Sequence, residues 1–342
     1  MSRPLLSIVL PAFNEQAVLP LAYERFSAMR APLHELGMDY ELLFVNDGSV
    51  DGTARMLDGF AATDDHVRVA HLTRNFGHQA AVTAGLSLAR GDAVAIMDCD
   101  LQDPPELLPT LLERWREGFH VVYGVRKKRQ EGLGKRFAYW AFYRIYARIS
   151  DLAIPLDSGD FCLMDRSVIE LLEQLPERQR FVRGLRTWVG LRQTGVEYER
   201  PARQAGQPAY TMRALMKLAM DGLVSFSGVP LQMVTRLGLL SALLALIVGM
   251  WVVWAVLSGQ TVPRGWASLA CLVLLTSSVQ LISLGIIGEY MSRVFLEVKG
   301  RPTYLIASVV EHGGNGTAPA PWRGRPHRAT PISVPRAEVE PR

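Results

Sequence analysis

The sequence predicts an α/β domain with a Rossmann-like, mostly parallel sheet, followed by amphipathic interfacial helices and a two-helix transmembrane hairpin. Three observations carry this. The first 125 of 342 residues alternate short apolar runs with helical patterns, the mark of βαβ units. Two long uncharged runs stand near the C-terminus. Between them and the α/β pattern lies a stretch that mixes apolar residues with Lys and Arg.

Strands are expected at 6–10, 40–45, 67–72, 93–97 and 120–123, each a short, nearly continuous apolar run of the kind a sheet buried on both faces requires. Helices are expected between them, at 19–36, 53–62, 79–89 and 106–118. A basic, glycine-containing loop follows at 127–135. The aromatic-rich stretch after it, 137–149, suits either core packing or a helix lying among lipid headgroups. The α/β domain spans 1–205 and the amphipathic juxtamembrane segment 206–233, in which Met212-Arg213-Ala214-Leu215-Met216-Lys217 fits a helix in the membrane plane.

The hairpin occupies 234–290. Its runs, 237–257 and 266–288, hold 21 and 23 residues without a charge. At about 1.5 Å of rise per residue either reaches across a hydrocarbon core of about 30 Å. Buried helices of a soluble core would keep a polar stripe, and here the polar residues are only Ser, Thr, Gln and Gly. The apolar run at the N-terminus ends after a few residues at Pro11, too short for a signal peptide. Arg213, Lys217 and Arg236 precede the hairpin and Arg293, Lys299 and Arg301 follow it, which puts both ends in the cytoplasm and the 258–265 loop outside. A cytoplasmic return segment (291–312) and a disordered tail (313–342) rich in Gly, Pro, Ala and Arg complete the chain. The expected location is the inner membrane, with two spans. Gly238, Gly249, Gly285 and Gly288 could let the hairpin pack against copies of itself, giving a homo-oligomer.

The three cysteines, Cys99, Cys162 and Cys271, form no CxxC pair, which argues against a disulfide framework or a zinc site. A net charge of +4 suits a surface facing anionic lipid; nothing resembles a nucleic-acid-binding stripe, so no nucleic acid is expected as partner.

The strongest chemical signal is Asp98-Cys99-Asp100-Leu101-Gln102-Asp103-Pro104-Pro105-Glu106, directly after the strand at 93–97. Ligands of open α/β sheets bind at the carboxyl ends of strands. Asp98 and Asp100 are two apart, so in an extended segment they share one side and repel unless a cation stands between them. Mg²⁺ suits such a pair, filling its shell with water and substrate phosphates. A second signal, Asn46-Asp47-Gly48-Ser49 with Asp51-Gly52-Thr53, also follows a strand. Asp51 and Thr53 are explained by helix capping, whereas Asp47 is placed to meet a base or ribose. A third, Pro11-Ala12-Phe13-Asn14-Glu15, follows the first strand; Glu15 serves either ribose hydroxyls or the helix N-terminus. Beyond 120–123 come Arg126, Lys127, Lys128, Arg129, Lys135 and Arg136, cations able to gather a phosphate, with Arg126 the best placed.

Taken together, Leu10 to Glu15, Val45 to Ser49, Arg74-Asn75-Phe76-Gly77-His78 and Asp98 to Pro105 resemble the family 2 glycosyltransferases of the GT-A fold. More narrowly, residues 5 to 305 resemble the polyprenyl-phosphate glycosyltransferases, relatives of dolichol-phosphate mannose synthase. The resemblance implies inverting transfer from a UDP- or GDP-sugar to a polyprenyl phosphate at the cytoplasmic face of the bilayer, with Mg²⁺ or Mn²⁺ as cofactor. Asp98, Asp100 and Gln102 would hold the metal. Pro11, Phe13, Glu15, Asp47 and Asp98 would line the nucleotide site. In Asp157-Ser158-Gly159-Asp160, Asp157 or Asp160 would position the acceptor or act as base beside Asp100. Arg126, Lys135, Arg136 and Arg203 would meet the acceptor phosphate. Two departures stand out: Cys99 replaces the usual Ala, and Pro208 and Ala209 replace a Ser and a Lys where a phosphate contact would be expected.

Two alternatives remain at this level. A transferase acting on a polymer or soluble acceptor would carry more spans and a QxxRW-type segment, which Gln179-Arg180-Phe181-Val182-Arg183 echoes only loosely. A catalytically idle nucleotide-sugar-binding scaffold would have no reason to keep the acidic ligands.

Overall fold

The computed structural model describes residues 3–126, 158–178, 180–199 and 265–317, with scattered positions between 234 and 258. The elements run β1 (Leu5–Ala12), α1 (Leu19–Ser27), α2 (Arg30–Glu35), β2 (Asp39–Asn46), α3 (Thr53–Thr63), β3 (Val67–Leu72), α4 (His78–Leu88), β4 (Ala93–Ile96), a 3₁₀ turn (Pro105–Leu107) and α5 (Leu108–Arg116). They continue through β5 (Val121–Arg126), β6 (Ser158–Asp165), α6 (Arg166–Gln174), α7 (Val182–Trp188), β7 (Gln193–Tyr198), α8 (Trp266–Lys299), β8 (Ile306–Glu311) and β9 (Gly314–Thr317).

These strands form one sheet in the order β7-β5-β6-β4-β1-β2-β3-β8-β9. Strands β4, β1, β2 and β3 are parallel, as are β5 and β7; β6 runs antiparallel to both β4 and β5, and β8 antiparallel to β3. The chain winds outward from β1 through β2 to β3, then returns to place β4 on the other side of β1. The switch of direction therefore falls between β1 and β4, where such sheets open a crevice beyond the strand ends.

Alternating side chains fill both faces. Leu6, Ile8, Leu10, Leu42 and Phe44 pack with Phe26, Leu57 and Leu111 on one side. Val9, Leu43, Val45 and Ile96 pack with Ala81, Val82, Ile169 and Leu185 on the other. Each such side chain, fully buried, contributes about 1.5–3 kcal/mol. Helix α4 sits close: a Cβ on Gly85 would come within 2.2 Å of Val9 Cγ1. That close approach seats the start of α4 over the crevice. The single helix expected at 19–36 is divided into α1 and α2, and the restart leaves Pro32 in the first turn of α2, where a missing N–H costs no helical hydrogen bond.

One helix among the described residues is long and apolar enough to cross a membrane, with its apolar window within Leu275–Lys299 and its side chains outside the protein core. Helix α8 continues well past 288, the expected end of the span, for 34 residues in all. Of the first expected span, 237–257, the scattered described residues are helical; the rest of it, like the aromatic stretch at 137–149 and the amphipathic segment, lies outside the described residues.

The segment after α8 does more than return the chain. Gly300, in the left-handed region at φ 68°, ends the helix. The Arg178 N–H donates to Glu297 Oε1 at 2.9 Å, and Arg178 Nη1 to the Arg301 carbonyl at 2.6 Å. Tyr304 and Ser87 share a hydroxyl hydrogen bond of 2.6 Å. Strand β8 then joins the edge of the sheet at β3, and β9 pairs with β8, so residues 314–317 belong to the sheet rather than to the tail expected from 313. Beneath β8 lies a buried polar network. Arg68 Nη1 donates to Glu41 Oε2 at 2.8 Å and its Nε to Glu311 Oε1 at 3.1 Å; Ser7 Oγ donates to Glu41 Oε1, which also accepts from the Arg90 N–H at 2.8 Å. Long-range ties of this kind anchor α8 to the α/β domain.

Candidate active site

The crevice is built from four strand ends. Past β1, Asn14 adopts φ 56°, and its loop is tied to the one past β2: Val50 N–H donates to Asn14 Oδ1 (2.9 Å), Asn14 N–H to Ser49 Oγ (3.0 Å), and Glu15 N–H to Thr53 Oγ1 (2.9 Å). Asp51 accepts from Thr53 N–H at 3.0 Å, holding the turn into α3 from one residue before the N-cap Gly52 rather than capping the helix as expected. Phe13 is exposed beside this loop, and Pro11 lies within β1.

Asp47 is buried at the end of β2, and its carboxylate spans two backbone amides, Phe76 N–H to Oδ1 at 2.7 Å and Gly77 N–H to Oδ2 at 2.8 Å. Burial pushes this carboxyl up, against the pull of those two hydrogen bonds. Its first task is therefore to hold the 74–77 loop, a contact the sequence reading missed. Gly48 makes that loop crossing possible: at φ 66°, a Cβ there would meet the Arg74 carbonyl carbon at 2.4 Å.

Past β4 the metal-type motif turns sharply. Asp100 Oδ1 accepts from the Gln102 N–H at 3.1 Å, and Leu101 between them takes φ 58° with its side chain buried. A left-handed leucine costs on the order of 1–3 kcal/mol and persists because the surroundings impose it, a common feature of functional turns. Asp103 is buried and accepts from Tyr198 Oη at the end of β7; Arg126 Nε, opposite Tyr198 in the ladder, donates to the same oxygen at 3.4 Å.

Extending the β4–β6 register from Ile96↔Cys162 brings Asp98 opposite Asp160. Two carboxylates there require a cation, and His78 at the start of α4 supplies one: its Nε2 lies 3.4 Å from Asp160 Oδ2 and 3.9 Å from Asp98 Oδ1. Burial would lower the His78 pKa, but the hydrogen bond to Asp160 and the charge of Asp98 prevail and bring it up to about 8. Asp98 is pushed up to about 6, first by burial and then by Asp103, Asp100 and Asp160. Asp160 goes the other way: despite burial, the hydrogen bond to His78 and the charge of Arg183 hold it well below the usual carboxylate range. Gln79 fixes this arrangement, donating to Asp160 Oδ2 at 3.0 Å and accepting from the Val182 N–H at 3.1 Å.

The structure thus gathers Glu15, Asp47, Asp98, Asp100, Gln102, Arg126 and Asp160 at one end of the sheet. Asp157, Lys135, Arg136 and Arg203 lie outside the described residues. His78, Gln79, Arg183, Arg186 and Tyr198 are additions that sequence reasoning did not assign; the glycine before His78, at a helix start, was the available signal for the first. The crowding of Asp98, Asp100 and Asp103, which disfavours ionised Asp98, fits a divalent cation held by Asp98, Asp100 and Gln102. Asp64, Asp65 and His66 also bring ligand atoms within 4.8 Å of one another. They precede β3, at the opposite end of the sheet, and Asp64 already accepts from Tyr23 Oη and the His66 N–H.

Known proteins match this chain closely. A family model described as Glycosyl transferase family 2 covers residues 7–172. "Uncharacterized glycosyltransferase YkcC" of Bacillus subtilis is 42% identical over 301 residues, 88% of this chain and 92% of that protein. "Uncharacterized glycosyltransferase sll0501" of Synechocystis is 43% identical over 306 residues, 89% of this chain and 95% of that one. The "SfII prophage-derived bactoprenol glucosyl transferase" of Shigella flexneri is 39% identical over 312 residues, 91% of this chain and 99% of that one. A mostly parallel sheet with its carboxylates at the switch point, and likeness to such relatives over about nine-tenths of the chain, place the chain in glycosyl transferase family 2, as a glycosyltransferase of the GT-A fold.

Proposed function

We propose that this glycosyltransferase moves a sugar, with inversion, from a UDP- or GDP-sugar to a polyprenyl phosphate at the cytoplasmic face of the inner membrane. The supporting observation is that the likeness to a bactoprenol glucosyl transferase runs over 91% of the chain, beyond the α/β domain into the membrane segment. The latch between α8 and the sheet adds to it, since it ties a lipid-seeking helix to the domain that carries the crevice.

The chemistry follows from the residues. Asp98, Asp100 and Gln102 would hold Mg²⁺ or Mn²⁺, which supplies positive charge to a leaving diphosphate. Glu15 and the outer lone pairs of Asp47 face the nucleoside, with Pro11 and Phe13 beside it. A phosphate monoester loses its second proton near pH 6, so the acceptor is already a nucleophile at pH 7. A strong base is unnecessary, which agrees with an Asp160 held ionised by His78 and Arg183: such a group positions rather than accepts protons. Arg126, Lys135, Arg136 and Arg203 are the acceptor cations, with Asp157 near them in sequence.

Purified protein should release UDP or GDP from one member of a nucleotide-sugar panel, and far faster when polyprenyl phosphate is added. Release that ignores the lipid phosphate would rule this reading out. Arg126→Ala should raise the KM for polyprenyl phosphate by about tenfold while donor binding changes little, since a guanidinium grips two phosphate oxygens; Lys should restore part of it. A donor defect with normal acceptor kinetics would move Arg126 to the nucleotide site.

The orientation is a separate proposal, motivated by the Lys and Arg that flank the hairpin. Reporter fusions at residue 342 and within 258–265 should report opposite sides of the membrane, the C-terminus inside. A periplasmic C-terminus would overturn it.

A further inference from the structure

The loop past β2 has a second anchor besides Asp47. Asn46, the last residue of β2, and His71, near the end of β3, are partners in the parallel ladder, so their side chains lie side by side on one face. Asn46 is buried, and its Nδ2 stands 2.9 Å from His71 Nδ1, while its Oδ1 accepts from the Ser49 N–H at 3.0 Å. On the far side of the ring, His71 Nε2 lies 2.9 Å from Asp58 Oδ1 on α3.

These contacts fix the proton of the ring. A backbone N–H can only donate, so Ser49 sets the Asn46 amide with its oxygen toward the turn and its NH2 toward the imidazole. His71 Nδ1 then has to accept, and the ring proton sits on Nε2, where the Asp58 carboxylate takes it. Only this neutral form of His71 suits both neighbours. A proton on Nδ1 would face the Asn46 NH2, donor against donor. Turning the amide over to meet it would set the same NH2 against the Ser49 N–H. Among the described residues Asp58 is the one charged group within ion-pair distance of the ring; Asn46 on β2 and Ser308, its neighbour on β8, are uncharged.

The effect reaches the crevice. Ser49, whose amide Asn46 holds, accepts from the Asn14 N–H through Oγ, and Asn14 Oδ1 accepts from the Val50 N–H. The loops past β1 and β2, which carry Glu15 and Asp47, are thus stitched together at the residue that Asn46 fixes. We propose that His71 is a positioning residue of the nucleotide site: by accepting from Asn46 it locks the 46–50 turn and, through it, the placement of Asp47 and Glu15. The imidazole itself touches no ligand. The proposal rests on the nucleotide-binding role given above to these two loops.

The test uses the full-length protein in nanodiscs, with UDP and GDP, each with Mn²⁺, as probes; the one that the wild-type protein binds more tightly is followed in the variants. Hydrogen exchange of peptides covering 46–53 is measured alongside. His71→Leu removes the acceptor. His71→Asn keeps one, because an asparagine Oδ1 stands as many bonds from the backbone as a histidine Nδ1, but it gives up Asp58 as the Leu variant does. Both should lower Tm by similar amounts. The Leu variant should bind nucleotide about tenfold more weakly and exchange faster at 46–53, whereas the Asn variant should stay within about twofold of wild type in affinity. His71→Val, which suits a strand, takes the place of the Leu variant if that one does not fold. Equal affinity losses in the Leu and Asn variants would make His71 a merely structural partner of Asp58 and overturn the proposal. So would wild-type affinity in the Leu variant, whether or not exchange at 46–53 quickens. A wild-type protein that binds neither nucleotide would refute the nucleotide reading by itself; exchange at 46–53 would then still decide whether His71 locks the turn.

Discussion

Asp100→Asn should leave the protein folded and reduce sugar transfer by at least about a hundredfold, the scale on which losing one electrostatic partner of a developing charge is felt. The substitution isolates charge from shape. An asparagine oxygen can still accept from the Gln102 N–H, so the turn that puts Leu101 at φ 58° survives. What disappears is one negative charge beside Asp98, which burial first and the neighbouring carboxylates second push up to about 6. The same loss should follow excess EDTA with the wild-type protein and be reversed by Mg²⁺ or Mn²⁺. Transfer that persists in EDTA, or in the Asn variant at near wild-type rate, would remove the cation from the account.

Arg68→Met should destabilise the protein by about 3–5 kcal/mol, the usual result of leaving a buried charge without its partner. Glu41 is 5% exposed and faces the Arg68 guanidinium at 2.8 Å; without it the carboxylate keeps only Ser7 and the Arg90 amide. Glu311 loses a ligand as well, loosening β8 and with it the tie to α8. Thermal unfolding in detergent micelles should show a Tm lower by about 10 °C or more. Glu311→Ala, at a half-exposed site, should cost no more than about 1 kcal/mol. Equal effects at the two positions would mean that the network is held by the strand pairing rather than by the buried pair.

The parallel centre of the sheet was legible because each of its strands is apolar on both faces: 67–72 was delimited to the residue, and the strand ends carrying Asp47 and Asp98 were placed correctly. Of the flanking strands, β5, expected at 120–123, was found, and the others were not. Gln193 to Tyr198 alternates polar and small residues at the sheet's edge, and Ser158 to Asp165 carries two acids, so neither has the continuous apolar run that marks a buried strand. Ile306 to Glu311 pairs with residues more than two hundred positions earlier, a partnership local pattern cannot announce. The site divides in the same way. Residues whose chemistry is written next to one another, such as Asp98 and Asp100, were found; those whose role depends on a distant neighbour were not. His78 acquires its role from Asp160, Arg183 and Arg186 from Gly159 and Asp160, and Asp47 turns out to serve the loop at Phe76 before any ligand.

The most direct test follows the sugar itself. Membranes containing the protein receive a radiolabelled nucleotide sugar, Mn²⁺, and either a polyprenyl phosphate or the matching polyprenol, and the lipid extract is counted. The account predicts label in the lipid fraction with the phosphate and none with the alcohol, because the phosphate oxygen is the nucleophile. Label that stays water-soluble in both, or that enters the lipid fraction equally with polyprenol, would contradict it.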